Sequence, residues 1–143
     1  MTVKRVLQGK EGGIVTVAPG STVAEALTIL AQKGIGTVVV SADGSAIAGI
    51  LSERDVVRAL AKDGASVMDA AVDDLMTREV QTCTAADTAR AVLERMTEGR
   101  FRHMPVLQDG ALAGMVSLGD IVKYRLDEVR HERNALRDFV AGG

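Results

Sequence analysis

Apolar residues recur every three or four positions in two separate stretches of the chain. They are Val23, Ala26, Leu27 and Leu30 in the first stretch, and Ala89, Val92, Leu93 and Met96 in the second. This spacing places each set on one face of a helix. A turn containing Ser, Thr or Asp precedes each set and supplies residues that cap a helix. The pattern therefore predicts two amphipathic helices.

Short runs of β-branched and other apolar residues flank both helices. One run precedes each helix and two runs follow it, at 14–17, 36–41 and 46–51 around the first helix and at 80–82, 103–107 and 111–116 around the second. Each pair of following runs is joined across Asp-Gly, a dipeptide that readily adopts a hairpin turn. A further helix is predicted to begin near Ser52 and near Ser117. The order strand, helix, strand, strand, helix thus occurs twice.

The two halves of the chain also repeat in sequence. The segment GILSERDVV at 49–57 recurs as GMVSLGDIV at 114–122, a shift of 65 residues. Residues 22–30 match residues 88–96 at a shift of 66. Internal similarity of this kind constrains the whole architecture. We therefore predict an α+β fold built from two βαββα units.

The predicted organisation has five parts. They are an N-terminal segment 1–13, a first unit 14–63, a linker 64–74, a second unit 75–127 and a C-terminal helical extension 128–143. Residues 120–140 contain no Gly or Pro and are predicted to form one long helix. An approximate seven-residue apolar stripe runs along it: Val122, Leu126, Val129, Leu136 and Val140, interrupted by Arg133. This stripe either packs on its own domain or faces a second copy.

Composition narrows the function classes. Apolar residues make up 47% of the 143 residues and aromatic residues only 2%, so no aromatic platform for unpaired bases is expected. A net charge of −2 gives no general attraction to nucleic acid. Cys83 is the only cysteine, which excludes an internal disulfide and a cysteine metal cluster. Without a long apolar run, no membrane segment or secretory signal is predicted, and we expect a cytoplasmic protein.

Four segments, taken in order, resemble the CBS-domain family. They are GILSERD at 49–55, DLMT at 74–77, RHMPV at 102–106 and GMVSLGD at 114–120. Together they resemble a stand-alone tandem CBS pair, or Bateman module, over about residues 14–127. This resemblance implies two units packed about a pseudo-twofold axis with two clefts between them. It also implies a disc-shaped homodimer and a regulatory protein that binds AMP, ADP or ATP, or in some members NAD or S-adenosylmethionine.

A Ser and an Asp lie three residues apart at each predicted helix start, as Ser52 with Asp55 and Ser117 with Asp120. A helix N-terminus attracts phosphate, and a carboxylate accepts two hydrogen bonds from the vicinal hydroxyls of a ribose. By resemblance, the Ser is assigned to phosphate and the Asp to ribose. The alternative is that both residues only cap the helix.

The resemblance implies a set of contacts for each cleft. Arg102 and His103 are expected on the phosphate side of the second cleft, and Val17, Thr82 and Cys83 are expected to reach adenine through backbone groups. The full prediction for the second cleft is Thr82, Cys83, Arg102, His103, Met104, Pro105, Ser117, Gly119 and Asp120. For the first cleft it is Val17, Gly36, Thr37, Val38, Ser52, Arg54, Asp55 and Arg58.

The two clefts are predicted to be unequal. Residues 35–39 contain no Arg, His or Pro at the place where the second unit has Arg102 and His103. The first cleft must therefore draw its positive charge from Arg54 and Arg58. We expect the second cleft to bind a monophosphate more tightly.

No catalytic constellation is predicted. His103 and His131 are far apart in sequence, and there is no phosphate-binding Walker loop, no dinucleotide-type glycine-rich loop and no clustered metal spacing. Cys83 has no activating neighbour and is expected to be an inert thiol. The leading hypothesis is a regulatory adenine-nucleotide sensor, with AMP as the first ligand and ATP, ADP or NAD as alternatives, that signals to an unknown regulated protein. The alternative is an oligomerisation or interaction scaffold acting through the C-terminal helix.

Overall fold

The computed structural model describes residues 1–10 and 13–142. Its first unit comprises strand β1 (Thr16–Val17), helix α2 (Val23–Lys33), strands β2 (Thr37–Val40) and β3 (Gly49–Ser52), and helix α3 (Glu53–Asp63). Its second unit comprises β4 (Cys83–Thr84), α5 (Ala89–Gly99), β5 (His103–Gln108), β6 (Ala111–Ser117) and α6 (Leu118–Gly142). The predicted βαββα order is confirmed in both halves, and so is the α+β fold class.

Each unit contains one three-stranded sheet. In the first, β1 pairs with β2 in parallel and β2 with β3 in antiparallel; β4, β5 and β6 pair in the same way in the second. One predicted strand is displaced, because the first strand of the second unit lies at Cys83–Thr84 and not at 80–82. The strand lies there because Cys83 and Thr84 are the residues that pair with Val106 and Leu107 of β5.

Side chains before each main helix cap its N-terminus. Thr22 accepts a hydrogen bond from the Glu25 backbone N–H at 3.1 Å, and Thr88 accepts one from Ala91 at the same distance. Helix α2 then ends at Gly34, whose φ of 63° lies in the left-handed region. These local signals place both amphipathic helices where the sequence pattern predicts them.

Two short helices that the pattern does not predict complete the cores. Helix α1 (Val3–Gln8) packs into the second unit, where Val3 and Val6 are buried. Helix α4 (Val72–Leu75) follows a 3-10 turn at Gly64–Asp69 and packs into the first unit through Val72. The segment preceding each unit therefore contributes to the core of the other.

A glycine lies at each of these two contacts, Gly49 beside Met76 and Gly114 beside Leu7. A Cβ on Gly49 would lie 2.6 Å from the Met76 sulfur and 2.9 Å from the Thr77 carbonyl oxygen, so only glycine fits there. Directly beside it, Ile50 and Thr77 exchange two backbone hydrogen bonds of 2.9 and 3.0 Å. This contact fixes the chain that crosses from the first unit to the second, and that crossing chain forms a wall of the cleft described below.

Helix α6 extends well past the body of the protein. Ile121 is buried, but every residue from 130 to 142 is exposed. The apolar stripe is exposed as well, with Leu126 at 52% and Leu136 at 64%. The alternative in which the stripe packs on its own domain is therefore wrong. No helix in the described part of the chain combines the length and apolar character needed to cross a membrane.

Candidate ligand-binding clefts

A cavity of about 500 Å³ lies between the two units. Its walls come from the start of β2, the β3–α3 junction, the crossing chain after α4 and the turn between α5 and β5. The lining residues are Gly36, Thr37, Ile50, Ser52, Glu53, Arg54, Asp55, Arg58, Thr77, Glu79, Val80, Gln81, Gly99, Arg100, Phe101, Arg102 and His103. We call this cavity the first cleft.

Ser52 and Asp55 form a reciprocal cap at the start of α3. The Asp55 backbone N–H donates to Ser52 Oγ at 3.2 Å, and the Ser52 backbone N–H donates to Asp55 Oδ2 at 2.9 Å. The Ser52 hydroxyl also donates to the same Oδ2 at 3.0 Å. The capping interpretation is therefore confirmed. It does not compete with ligand binding, because a carboxylate offers a second acceptor oxygen and this side chain lines the cavity.

The first cleft is rich in guanidinium groups. Four arginines line it together with three carboxylates, those of Glu53, Asp55 and Glu79. Arg54 and Arg58 are the two arginines predicted from the sequence, whereas Arg100 and Arg102 come from the second unit. Guanidinium groups suit phosphate oxygens because they present several donors in a planar fork. The cleft thus combines a carboxylate, a helix N-terminus and several cations in one cavity.

Arg102 and His103 lie between the two clefts. Both were expected only in the second cleft, but both line the first as well. The His103 ring contacts the first unit directly, with Nδ1 3.0 Å from Thr37 Oγ1. Burial lowers the pKa of His103 below its ordinary value, and the positive charges of Lys10 and Arg102 lower it further against the opposing effect of Asp120 and Glu53. Burial therefore favours the neutral form of His103.

A second cavity, of about 590 Å³, lies along the base of α6. We call it the second cleft. Four of its predicted residues line it: Arg102, His103, Ser117 and Gly119. The other lining residues belong to α6: Leu118, Val122, Lys123, Leu126, Asp127 and Arg130. In contrast to the first cleft, its walls come from the second unit alone.

Asp120 is held by a lysine from the N-terminal segment. Ser117 and Asp120 repeat the cap of the first unit, with backbone hydrogen bonds of 2.9 and 3.0 Å. In addition, Lys10 Nζ donates to Asp120 Oδ2 and to the Met115 carbonyl oxygen, both at 2.8 Å. Burial opposes ionisation of Asp120, but the hydrogen bonds from Lys10 and Ser117 keep its pKa below the ordinary value. Asp120 does not line either cavity.

Several other predicted residues lie in the protein core and line neither cavity. Val17, Val38 and Met104 are buried in the sheets, as is Pro105. The Thr82 carbonyl accepts a hydrogen bond from Arg95 at 2.9 Å. The crossing chain lines the first cleft one to three residues earlier, at Glu79, Val80 and Gln81. No periodic signal marks these positions, because they belong to an irregular segment.

Cys83 is buried in β4, beside β5. Its side chain is 3% exposed and its Sγ lies 3.8 Å from the Pro105 carbonyl oxygen. Burial raises the pKa of the thiol to about 11, and the nearby Asp87 carboxylate acts in the same direction. A thiol with so high a pKa is a weak nucleophile at neutral pH, in agreement with the predicted inertness.

Comparison with known proteins agrees with this architecture. The model of the CBS domain family matches residues 12–62 and 72–127. The chain is 33% identical to the CBS domain-containing protein CBSX3, mitochondrial, of Arabidopsis thaliana, over 99% of this chain and 73% of that protein.

Solved structures show the same arrangement. The CBS-domain containing protein ATU1752 from Agrobacterium tumefaciens is 44% identical and superposes with a TM-score of 0.84, covering 87% of this chain and 99% of that one. The CBS domain protein PAE2072 from Pyrobaculum aerophilum, complexed with AMP, shares the fold at 24% identity and a TM-score of 0.74, covering 84% of this chain and 89% of that one. With two matched repeats, two βαββα units and these relatives, the chain belongs to the CBS domain family as a tandem pair.

Proposed function

We propose that this protein is a non-catalytic regulatory module that binds an adenine nucleotide in the first cleft, with AMP as the expected ligand. The observation that carries the proposal is that one cavity joins Ser52 and Asp55 of the first unit to Arg100 and Arg102 of the second. A cavity of this volume lies within the range that small-molecule ligands occupy, roughly 300–1,000 Å³.

Each part of a nucleotide finds suitable chemistry in the first cleft. The Asp55 carboxylate, which the Ser52 hydroxyl holds in place, suits the ribose hydroxyls, and the N-terminus of α3 suits a phosphate. Arg100 and Arg102 approach from the opposite wall and add charge-assisted hydrogen bonds to phosphate oxygens. Val80 and Phe101 supply apolar surface for the base.

The first cleft is the preferred site, which reverses the order of affinities expected from the sequence. That expectation rested on Arg102 and His103 serving the second cleft alone, yet both line the first. In the second unit the equivalent of Asp55 is Asp120, and Lys10 is bonded to its carboxylate at 2.8 Å. A ligand at that carboxylate would have to displace an ion pair first.

The position of the first cleft supports a regulatory role. Its walls belong to both units, so a ligand that contacts both walls favours one angle between them. A change in that angle alters the surface offered to a regulated protein. AMP is favoured as the ligand because PAE2072, which shares this fold, is complexed with AMP. The cytoplasmic location and the existence of a separate regulated protein remain predictions from the sequence.

Melting temperatures measured with AMP, ADP, ATP, NAD and S-adenosylmethionine test the proposal. A ligand that binds only the folded state raises the melting temperature by mass action. We expect AMP to give the largest shift, and the shift should be lost in Asp55→Asn but kept in Asp63→Asn. Asp63 is the matched control because it ends the same helix, away from the cleft. Absence of a shift with every ligand would refute the sensor.

A second candidate function is an interaction scaffold, and the exposed apolar side chains of α6 favour it. Val122, Leu126, Val129 and Leu136 are each at least 45% exposed, which is unusual for a row of large apolar residues. The two functions are compatible, since a sensor requires a surface through which it signals. A homodimer, as the family resemblance implies, forms part of this proposal.

A further inference from the structure

The exposed stripe on α6 has the spacing of a coiled-coil seam. Its positions are 122, 126, 129, 133, 136 and 140, at alternating steps of four and three, and all except Arg133 are apolar. This alternation keeps one edge of a helix in contact with a partner helix over its whole length. The stripe therefore matches another helix better than it matches a flat surface.

The stripe begins at the body of the protein, where Val122 and Leu126 line the second cleft, and its later positions lie on the exposed end of α6. Ile121 is buried and Tyr124 and Glu128 are half-buried, which defines the face of α6 that packs on the second unit. At about 100° of rotation per residue, the centre of the stripe lies roughly 130° around the helix from that face. A second helix can therefore approach the stripe without displacing the body. The exposed turns at 130–142 would be marginal as an isolated helix, because short helices in water gain little without packing.

We propose that this stripe pairs with the same stripe of a second copy as a parallel, in-register, two-stranded coiled coil. Arg133, the one polar residue of the seam, would then lie beside Glu132 of the second copy. A single polar residue in a seam fixes register and orientation at some cost in stability. The inference rests on the proposed homodimer but not on nucleotide binding.

The charges beside the seam favour the parallel orientation. One flank carries Lys123, Arg130 and Arg137, and the other carries Arg125 and Glu132. A parallel pair sets Glu132 of one copy against Arg137 of the other, whereas an antiparallel pair sets the all-basic flank against itself. Arg125 would approach Arg130 of the second copy, but its guanidinium is already 2.9 Å from Glu128 of its own chain.

Molar mass in solution, by light scattering coupled to gel filtration, is the first test. We expect the full chain to elute at twice its mass of 15.0 kDa. Leu136→Glu, in the seam, should elute as a monomer, and Asn134→Glu, on another face of the helix, should stay dimeric. A dimeric Leu136→Glu would overturn the coiled coil and leave the homodimer standing, whereas a monomeric wild type would overturn both.

Disulfide cross-linking tests the orientation. In a parallel pair, position 136 of one helix faces position 136 of the other, within roughly the 4.4–6.8 Å that a disulfide spans between Cα atoms. Oxidised Leu136→Cys should therefore form a covalent dimer, and Asn134→Cys should not. The wild type serves as a background control because Cys83 is buried. Failure of Leu136→Cys to cross-link while the wild type is dimeric would overturn the parallel arrangement.

Discussion

Thr37 and His103 contact each other across the interface of the two units, with Oγ1 and Nδ1 3.0 Å apart. The two residues are 66 positions apart, which is the spacing of the internal repeat. Equivalent positions of the two units therefore meet at the pseudo-twofold axis, one as a buried threonine and the other as a histidine. His103 also lines both clefts.

The burial of His103 makes the stability of the protein depend on pH. Burial lowers the pKa of His103 from its ordinary 6.5, so the unfolded chain binds a proton before the folded one does. The contribution of the neutral His103 to the free energy of unfolding is therefore fully present above about pH 6.5 and decreases as the pH falls below that value. Comparing urea unfolding at pH 7.5 and 5.5, we expect the wild type to lose more stability than His103→Asn. Equal losses in the two proteins would show that His103 does not titrate in this way.

Arg102 is predicted to act on phosphate alone. Arg102→Gln keeps a polar side chain at the cleft wall but removes the guanidinium charge. We expect its affinity for AMP to fall about tenfold, or roughly 1.4 kcal/mol, while its affinity for adenosine stays unchanged. Isothermal titration with both ligands measures the difference, and Arg90→Gln, an exposed site on α5, is the control. A parallel loss for adenosine would place Arg102 outside the phosphate site.

Lys10 is predicted to keep the second unit's carboxylate occupied. Its ammonium lies 2.8 Å from Asp120 Oδ2, so Lys10→Met should release the group that corresponds to Asp55. We expect the stoichiometry of AMP binding to rise from one to two per chain at high ligand concentration. Lys4→Met, on the exposed side of α1, should leave it at one. A stoichiometry of one in Lys10→Met would mean that the ion pair does not limit the second site.

The βαββα repeat was predictable because its signals are local. Apolar spacing, capping residues and Asp-Gly turns each act within a few residues. Because the segment 49–57 recurs at 114–122, the same signals are found in both halves of the chain. Helices α1 and α4 were not predicted, since six and four residues are too few for a periodic pattern. They form because Val3 and Val72 are buried in the core of the other unit.

The composition of the first cleft was only partly predictable. Ser52, Arg54, Asp55 and Arg58 belong to one local motif and were found from it. Arg102 was expected in the second cleft only, but it lines both cavities, because sequence spacing does not show which unit's wall faces a cavity. The Lys10–Asp120 pair joins residues 110 positions apart, and no local pattern links them.

The affinity of AMP for the wild type and for Asp55→Asn, measured by isothermal titration, tests the central claim most directly. The asparagine retains an acceptor oxygen for the Ser52 cap, so the variant should fold and keep a melting temperature close to that of the wild type. We predict one AMP per wild-type chain and an affinity at least tenfold weaker in Asp55→Asn, a loss of roughly 1.4 kcal/mol. Equal affinity in the two proteins, or no binding by the wild type, would contradict the proposal that the first cleft is an adenine-nucleotide site.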